Sequence, residues 1–158
     1  MKYLIGFLFY LCVHTSYAKD ALIKDCAHLQ DTTKADFVLL SKKEFIQLGE
    51  CLAVSYLKKK VEINLLESCN EVDEDRRNFL GIFSLSKLEA IQIGQCLGVI
   101  NFIHQHYDNE PIPYKRNRYN RRGVYHCTKG NKAIDLIKNN YTEYSSRSEL
   151  RDLLCREN

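Results

Sequence analysis

Residues 41–54 read SKKEFIQLGECLAV, and residues 86–99 read SKLEAIQIGQCLGV. Each copy opens S-K-x-E and continues I-Q-x-G-x-C-L-x-V. In both, a serine and the glutamate three residues on make a capping box, Ser41 with Glu44 and Ser86 with Glu89. The serine hydroxyl accepts an orphan N–H of the first helical turn, and the glutamate reaches back to the serine N–H. Leu40 before the first cap and Phe45 beyond it supply the apolar pair of a hydrophobic staple. The pattern predicts two helices, each started by its own local signal.

On the first helix, Phe45, Leu48, Leu52 and Tyr56 share one stripe, with Gly49 and Ala53 beside it. On the second, Ile93, Leu97 and Ile100 share the stripe, with Gly94 and Gly98 beside it. A glycine in mid-helix costs roughly 1 kcal/mol against alanine. Two helices that each carry one at the same place predict a close crossing with a neighbour, and a crossing with each other about a pseudo-twofold satisfies that need. Cys51 and Cys96 project to the edge of each stripe, where a disulfide would tie the helix to a flanking segment.

Upstream of the repeat, residues 1–18 read MKYLIGFLFYLCVHTSYA. Lys2 gives a short basic start, residues 3–13 an apolar run, and Ser16 and Ala18 small side chains before a cleavage point. This is the pattern of a secretory signal peptide cleaved after Ala18. The apolar run is too short for a membrane-spanning helix, and no later stretch is long enough either. The expected product is residues 19–158, one domain, secreted or periplasmic. Lys2 leaves with the signal, taking the formal charge from +3 to +2. So small an excess implies no particular partner, and nucleic acid is not expected to be one. With 7 glycines and 2 prolines in the whole chain, the composition favours helices over a loop-rich knot.

Six cysteines follow the signal: Cys26, Cys51, Cys69, Cys96, Cys127 and Cys155. An even count in an exported chain reads as a disulfide framework. No C-x-x-C pair offers the spacing of a zinc site. Each repeat unit is cysteine, linker, capped helix, cysteine (about 26–51 and 69–96), and residues 127–155 form a divergent third unit. The economical pairing is Cys26–Cys51, Cys69–Cys96 and Cys127–Cys155, one of the fifteen that six cysteines allow. In the third unit, Ala133, Ile134, Ile137 and Tyr141 make a short amphipathic helix, and Ser146 with Glu149 makes another capping box. The fold class expected is all-α, with about five or six helices, an internal repeat and up to three disulfides. VEINLL (61–66) is read as helix and the acidic EVDED (71–75) as a solvated turn between helices.

Chemistry is harder to find. His104 and His106 point about 200° apart on a helix and cannot chelate one ion, so no metal or other cofactor is expected. EVDED lacks the glycine and final glutamate of a calcium loop. There is no G-x-S-x-G and no phosphate-cradling glycine loop. Glu44 and Glu89 are explained as caps rather than catalytic acids, and the chain is read as no enzyme. The unusual composition is DNEPIPYKRNRYNRRGVYHC (108–127), which holds both prolines. It carries Lys115, Arg116, Arg118, Arg121 and Arg122, interleaved with Tyr114, Tyr119 and Tyr125. Arginine and tyrosine together are the chemistry of interface anchors, and also of anionic-glycan and nucleic-acid binding; for an exported chain of near-neutral charge, an acidic protein or an envelope polyanion is the partner expected. Tyr114, Arg116, Arg118, Tyr119, Arg121 and Arg122 are the candidate partner-binding residues, and Asn140-Tyr141-Thr142 is a formal glycosylation sequon.

From Cys69 to Cys155 the chain resembles the Rap/Tai group of periplasmic immunity proteins, which protect bacteria against type VI secreted cell-wall amidases. GQCLGVINFI looks like that group's central motif, with Gly94, Cys96 and Gly98 matching; Cys127 and Cys155 look like its third and last cysteines. The chain departs from the pattern at Thr128, Lys129 and Leu154, where prolines are usual, and at Val99, where a tyrosine is. The resemblance implies an all-helical, disulfide-bonded dimeric inhibitor that occludes a partner's active site. The function expected is thus an exported protein-binding module that inhibits an envelope-directed hydrolase. The alternative is a secreted helical carrier of a small apolar ligand.

Overall fold

Ser41, Ser86 and Ser146 each close a capping box with the glutamate three residues on. The backbone N–H of the serine donates to the glutamate carboxylate at 2.7, 2.7 and 2.6 Å, and the glutamate N–H donates back to the serine hydroxyl. The computed structural model describes residues 26, 39–77, 85–112, 123–140 and 146–157, and these caps open three of the five helices that lie wholly within them. In chain order they are α1 (Lys42–Leu57), α2 (Leu65–Arg77), α3 (Lys87–Tyr107), α4 (Asn131–Asn140) and α5 (Arg147–Leu154). Two short strands, β1 (Tyr125–Cys127) and β2 (Cys155–Glu157), pair antiparallel with Cys127 opposite Cys155. The domain is all-α, as expected, and is tied by disulfides Cys26–Cys51, Cys69–Cys96 and Cys127–Cys155.

α3 is the hub, packing against α1, α2, α4, α5 and β1. Its ten buried residues include Gln92, Ile93, Cys96, Val99, Phe102 and Ile103. α1 crosses it at the paired glycines. A Cβ built on Gly49 would lie 2.0 Å from the carbonyl oxygen of Ile91, and one built on Gly94 would lie 2.0 Å from that of Ile46. Positions 46 and 91, like 49 and 94, occupy the same places in the two repeat copies, so the contact is reciprocal about a local twofold. At the next equivalent pair the repeat is broken for a steric reason. Ala53 keeps its methyl and Gly98 does without, because a second methyl would come 2.8 Å from the first.

That close crossing turns α1 away from the stripe expected of it. The buried residues are Phe45, Gly49, Ala53, Val54 and Leu57, while Leu48, Leu52 and Tyr56 are only part-buried. Backbone-to-backbone contact puts the small residues, not the large ones, at the centre of the interface. Cys96 is likewise fully buried and not at an edge, since α2 covers it, whereas Cys51 is part-exposed.

Two further expectations are corrected in α2. Residues 61–64 are not helical; the helix begins at Leu65, capped by Asn64, whose side chain accepts from Glu67 N–H (3.1 Å) and donates to the Glu67 carboxylate (3.0 Å). EVDED is no turn but the second half of this helix. It is held there because Leu65, Ser68, Cys69 and Val72 face the core while the acids face outward. Asp73 pairs with Lys138 of α4. The buried polar groups between α2 and α3 are satisfied: the Ser68 hydroxyl donates to the Asn64 carbonyl (2.8 Å) and lies 2.9 Å from Gln95 Oε1, and the Gln92 amide donates to Glu67. β1 and β2 carried no alternating pattern, being three residues each.

Candidate protein-binding surface

α3 ends at Tyr107, and Asn109, at φ +62°, reverses the chain. Residues 109–112 then run beside 123–125. Asn109 N–H donates to the Tyr125 carbonyl (2.8 Å), Tyr125 N–H to that of Glu110 (3.0 Å), and Ile112 N–H to that of Gly123 (3.0 Å). Pro111 bridges to Val124. The segment between Ile112 and Gly123 therefore leaves and re-enters the fold at one place, on a laddered stem. Its residues Tyr114, Arg116, Arg118, Tyr119, Arg121 and Arg122, the candidates for partner contact, lie outside the described residues, as do residues 1–18. Tyr125, counted with them by composition, belongs to the stem itself and is buried at 7% exposure.

The stem is fastened on its far side. Cys127 N–H donates to Asp108 Oδ1 (2.9 Å), Thr128 N–H donates to the Leu154 carbonyl (2.8 Å), and the Cys127–Cys155 disulfide joins β1 to β2. α5 feeds directly into β2, so the same disulfide sets α5 beside the stem.

α5 places two arginines one turn apart against the aromatic residues under the stem. The Arg151 guanidinium lies 5.6 Å from the Tyr107 ring centre and 5.4 Å from that of Tyr125. The Arg147 guanidinium lies 4.8 Å from Phe102 and 5.3 Å from Tyr107. Cations over ring faces at such distances are attracted by the ring quadrupole. The His106 ring stacks on Phe102 at 3.8 Å, and its Nδ1 meets the Phe102 carbonyl at 3.0 Å. His104 turns elsewhere, its Nε2 3.7 Å from Asp108 Oδ2. The two histidines are thus directed at different groups, and no cluster of three metal-ligating groups occurs among the described residues.

The arginines differ in their partners. Arg151 donates to Asp152 through Nε (2.8 Å), with Nη2 2.7 Å from the same oxygen. The hydrogen bond to Asp152 is the main reason its charged form is held more firmly than usual. Arg147 Nε is buried and has no acceptor among the described residues. Neither residue stood out in the sequence: R-S-E-L-R puts them on one helix face, but nothing local reports the rings beneath.

On the outer face of the hairpin and α4 lies an open groove of about 590 Å³, lined by His126, Cys127, Thr128, Lys132, Asp135, Leu136, Asn139 and Arg156. It is a mixed-charge surface rather than an apolar chamber. Asn140, the asparagine of the sequon, is exposed at the end of α4, its amide donating to the Leu136 carbonyl (3.2 Å). No described helix is long and apolar enough to cross a membrane. Comparison of the chain with protein-family models, curated proteins and solved structures finds no match.

Proposed function

We propose that this chain is an exported, non-enzymatic protein-binding module whose contact surface is the arginine–tyrosine segment at residues 114–122. The observation that carries the reading is the laddered, disulfide-fastened stem at 109–112 and 123–127. A segment whose ends are pinned gives up less conformational entropy on binding than a free one. Arginine and tyrosine are among the side chains that most often dominate interface energies. A partner with an acidic surface suits a segment carrying five cations and no acid. Among acidic partners we favour an envelope-directed hydrolase, a peptidoglycan amidase in the Rap/Tai comparison, inhibited by occlusion. Export agrees with three disulfides, which persist in oxidising compartments.

The test is affinity capture of the tagged mature chain from its own periplasm or secretion fluid, with mass spectrometry of what stays bound. A stoichiometric hydrolase whose binding is lost on changing Arg116, Arg118, Arg121 and Arg122 to alanine supports the reading. Unchanged affinity in that variant, with the fold intact, overturns it. The carrier alternative has no specific observation in its favour: the core is filled by side chains such as Leu65, Ile100, Ile103, Ile134 and Leu150.

A further inference from the structure

The outer groove is built from two faces that the core does not use. Along α4, Ala133, Ile134 and Ile137 are buried. Lys132, Asp135, Leu136 and Asn139, spaced i, i+3, i+4 and i+7, share the other face and line the groove. Across from them, His126 and Arg156 are register partners in the β1–β2 ladder, so their side chains leave it on the same face. Both line the groove too, and all of these residues except Leu136 are exposed. Among the described residues, Asp73, Asp75, Asp108 and Asp152 each have a partner, whereas Asp135 has no ion pair or side-chain hydrogen bond. Arg76, Arg147 and Arg151 lie on an acid or on rings, and Arg156 lies on neither among the same residues. Lys132 and Asp135 stand three apart on one helix, a spacing at which opposite charges commonly pair, and they do not.

We propose that this groove binds a short mixed-charge peptide, whose carboxylate is taken by Arg156 with His126 and Lys132 and whose ammonium is taken by Asp135. The site is separate from the arginine–tyrosine segment and consists of described residues alone. Its volume of about 590 Å³ falls in the range of small-ligand sites. Cations and an acid that share one concavity without pairing match a ligand carrying both signs. A purely anionic ligand would meet Asp135, and a purely cationic one would meet Arg156 and Lys132. The Arg156 guanidinium offers a carboxylate two parallel donors. The Asn139 amide both donates and accepts, as a peptide bond requires, and Leu136 supplies an apolar contact between the charged ends. The walls are set before a ligand arrives. The Cys127–Cys155 disulfide and the Thr128 N–H bond to the Leu154 carbonyl hold the ladder together. Ile134 and Ile137, at 0% exposure, seat α4 on the core. A site made ready in this way loses little freedom on binding.

The experiment is a titration of the mature, disulfide-bonded chain, followed by its backbone amide NMR resonances. The probes are acetylated, amidated tripeptides with a glutamate and a lysine separated by glycine, made in both orders. The controls carry glutamine in place of the glutamate, the lysine or both. The expected result is a saturable shift confined to the groove residues and their neighbours, with one probe binding about tenfold tighter than either of its single-charge controls. Asp135→Asn should remove the preference over the control that lacks lysine and keep the other preference. Arg156→Gln should remove the preference over the control that lacks glutamate and keep the other. No saturable shift up to the probes' solubility limit overturns the proposal. So do shifts centred outside the groove, and so does equal binding of the probes and a single-charge control, which is the mark of a simple ion site. Both substituted residues are exposed, and the dispersion of the amide resonances reports whether each variant folds. Should a variant not fold, the ranking of probes and controls on the unaltered chain decides. The titration involves no protein partner and none of residues 114–122, so its failure and that of the protein-binding reading are distinguishable.

Discussion

Gly49 and Gly94 face each other across the crossing of α1 and α3, each with its helix backbone where the other's side chain would be. A methyl built on Gly49 falls 2.8 Å from the Cα of Gly94, and one built on Gly94 falls 2.9 Å from the Cα of Gly49. The closer obstacle in each case is a carbonyl oxygen at 2.0 Å, which belongs to the backbone and cannot rotate away.

Gly49→Ala and Gly94→Ala should therefore both destabilise the chain. The roughly 1 kcal/mol that alanine gains in helix propensity opposes an overpacking cost of about 1–3 kcal/mol or more, and here the helices themselves must separate. Urea unfolding checks this, with a net loss of about 2 kcal/mol expected at either position. A gain in stability would show that the helices part freely.

Of the disulfides, Cys69–Cys96 should be the last to be reduced. Both of its cysteines have 0% exposure, whereas Cys127 is part-exposed on the outer groove. Thiol exchange needs access to a sulfur. Stepwise reduction followed by alkylation and peptide mapping should label Cys127 and Cys155 before Cys69 and Cys96. Replacing Cys127 and Cys155 by serine should cost about 3 kcal/mol.

Glu50 has its pKa raised by burial beside the crossing. A carboxyl that is harder to ionise when folded than when unfolded opposes folding once it is charged. That penalty is absent below the unfolded value of 4.5, grows as the pH rises toward the folded pKa, and is complete above it. Glu50→Gln should raise the melting temperature at pH 7, with the gain shrinking toward pH 4. A gain that is larger at pH 4 than at pH 7 would reverse the sign of the linkage. Glu71 is raised too, by desolvation first and then by Glu74, Glu89 and Glu67, so the acidic face of α2 works in the same direction.

The Lys138–Asp73 pair joins α4 to α2, with side chains 25% and 22% exposed. A double-mutant cycle with Lys138→Met and Asp73→Asn should give a coupling of about 1 kcal/mol, near the top of the range for exposed pairs. The coupling should fall in high salt. A coupling indistinguishable from zero at low salt would mean that the two charges remain solvated.

What could be read from the sequence was what short-range chemistry controls. Ser41–Glu44, Ser86–Glu89 and Ser146–Glu149 are satisfied within one helical turn, so a four-residue pattern suffices to place each helix start. The glycine repeat told of a close crossing because a costly residue recurring at one register needs a reason in packing. The pairing of cysteines followed the order of the units along the chain.

Tertiary structure decided the rest. EVDED is helical because Asn64 caps α2 and Cys69 and Val72 bury one side of it; by itself its charge reads equally well as a solvated turn. α1 buries Gly49, Ala53 and Leu57 rather than Leu48 and Leu52 because the face of a helix that goes inward is chosen by how near its neighbour can come. Tyr125 joins the core and Arg147 lies over Phe102 and Tyr107 because β1 and α5 meet through the Cys127–Cys155 bond. The sequence alone determined where α1, α3 and α5 begin and which cysteines belong to each unit, since caps and repeats are local. Which side chains face inward, and which rings Arg147 and Arg151 cover, was decided only when distant segments packed, because burial and pairing belong to contacts between elements and not to any one of them.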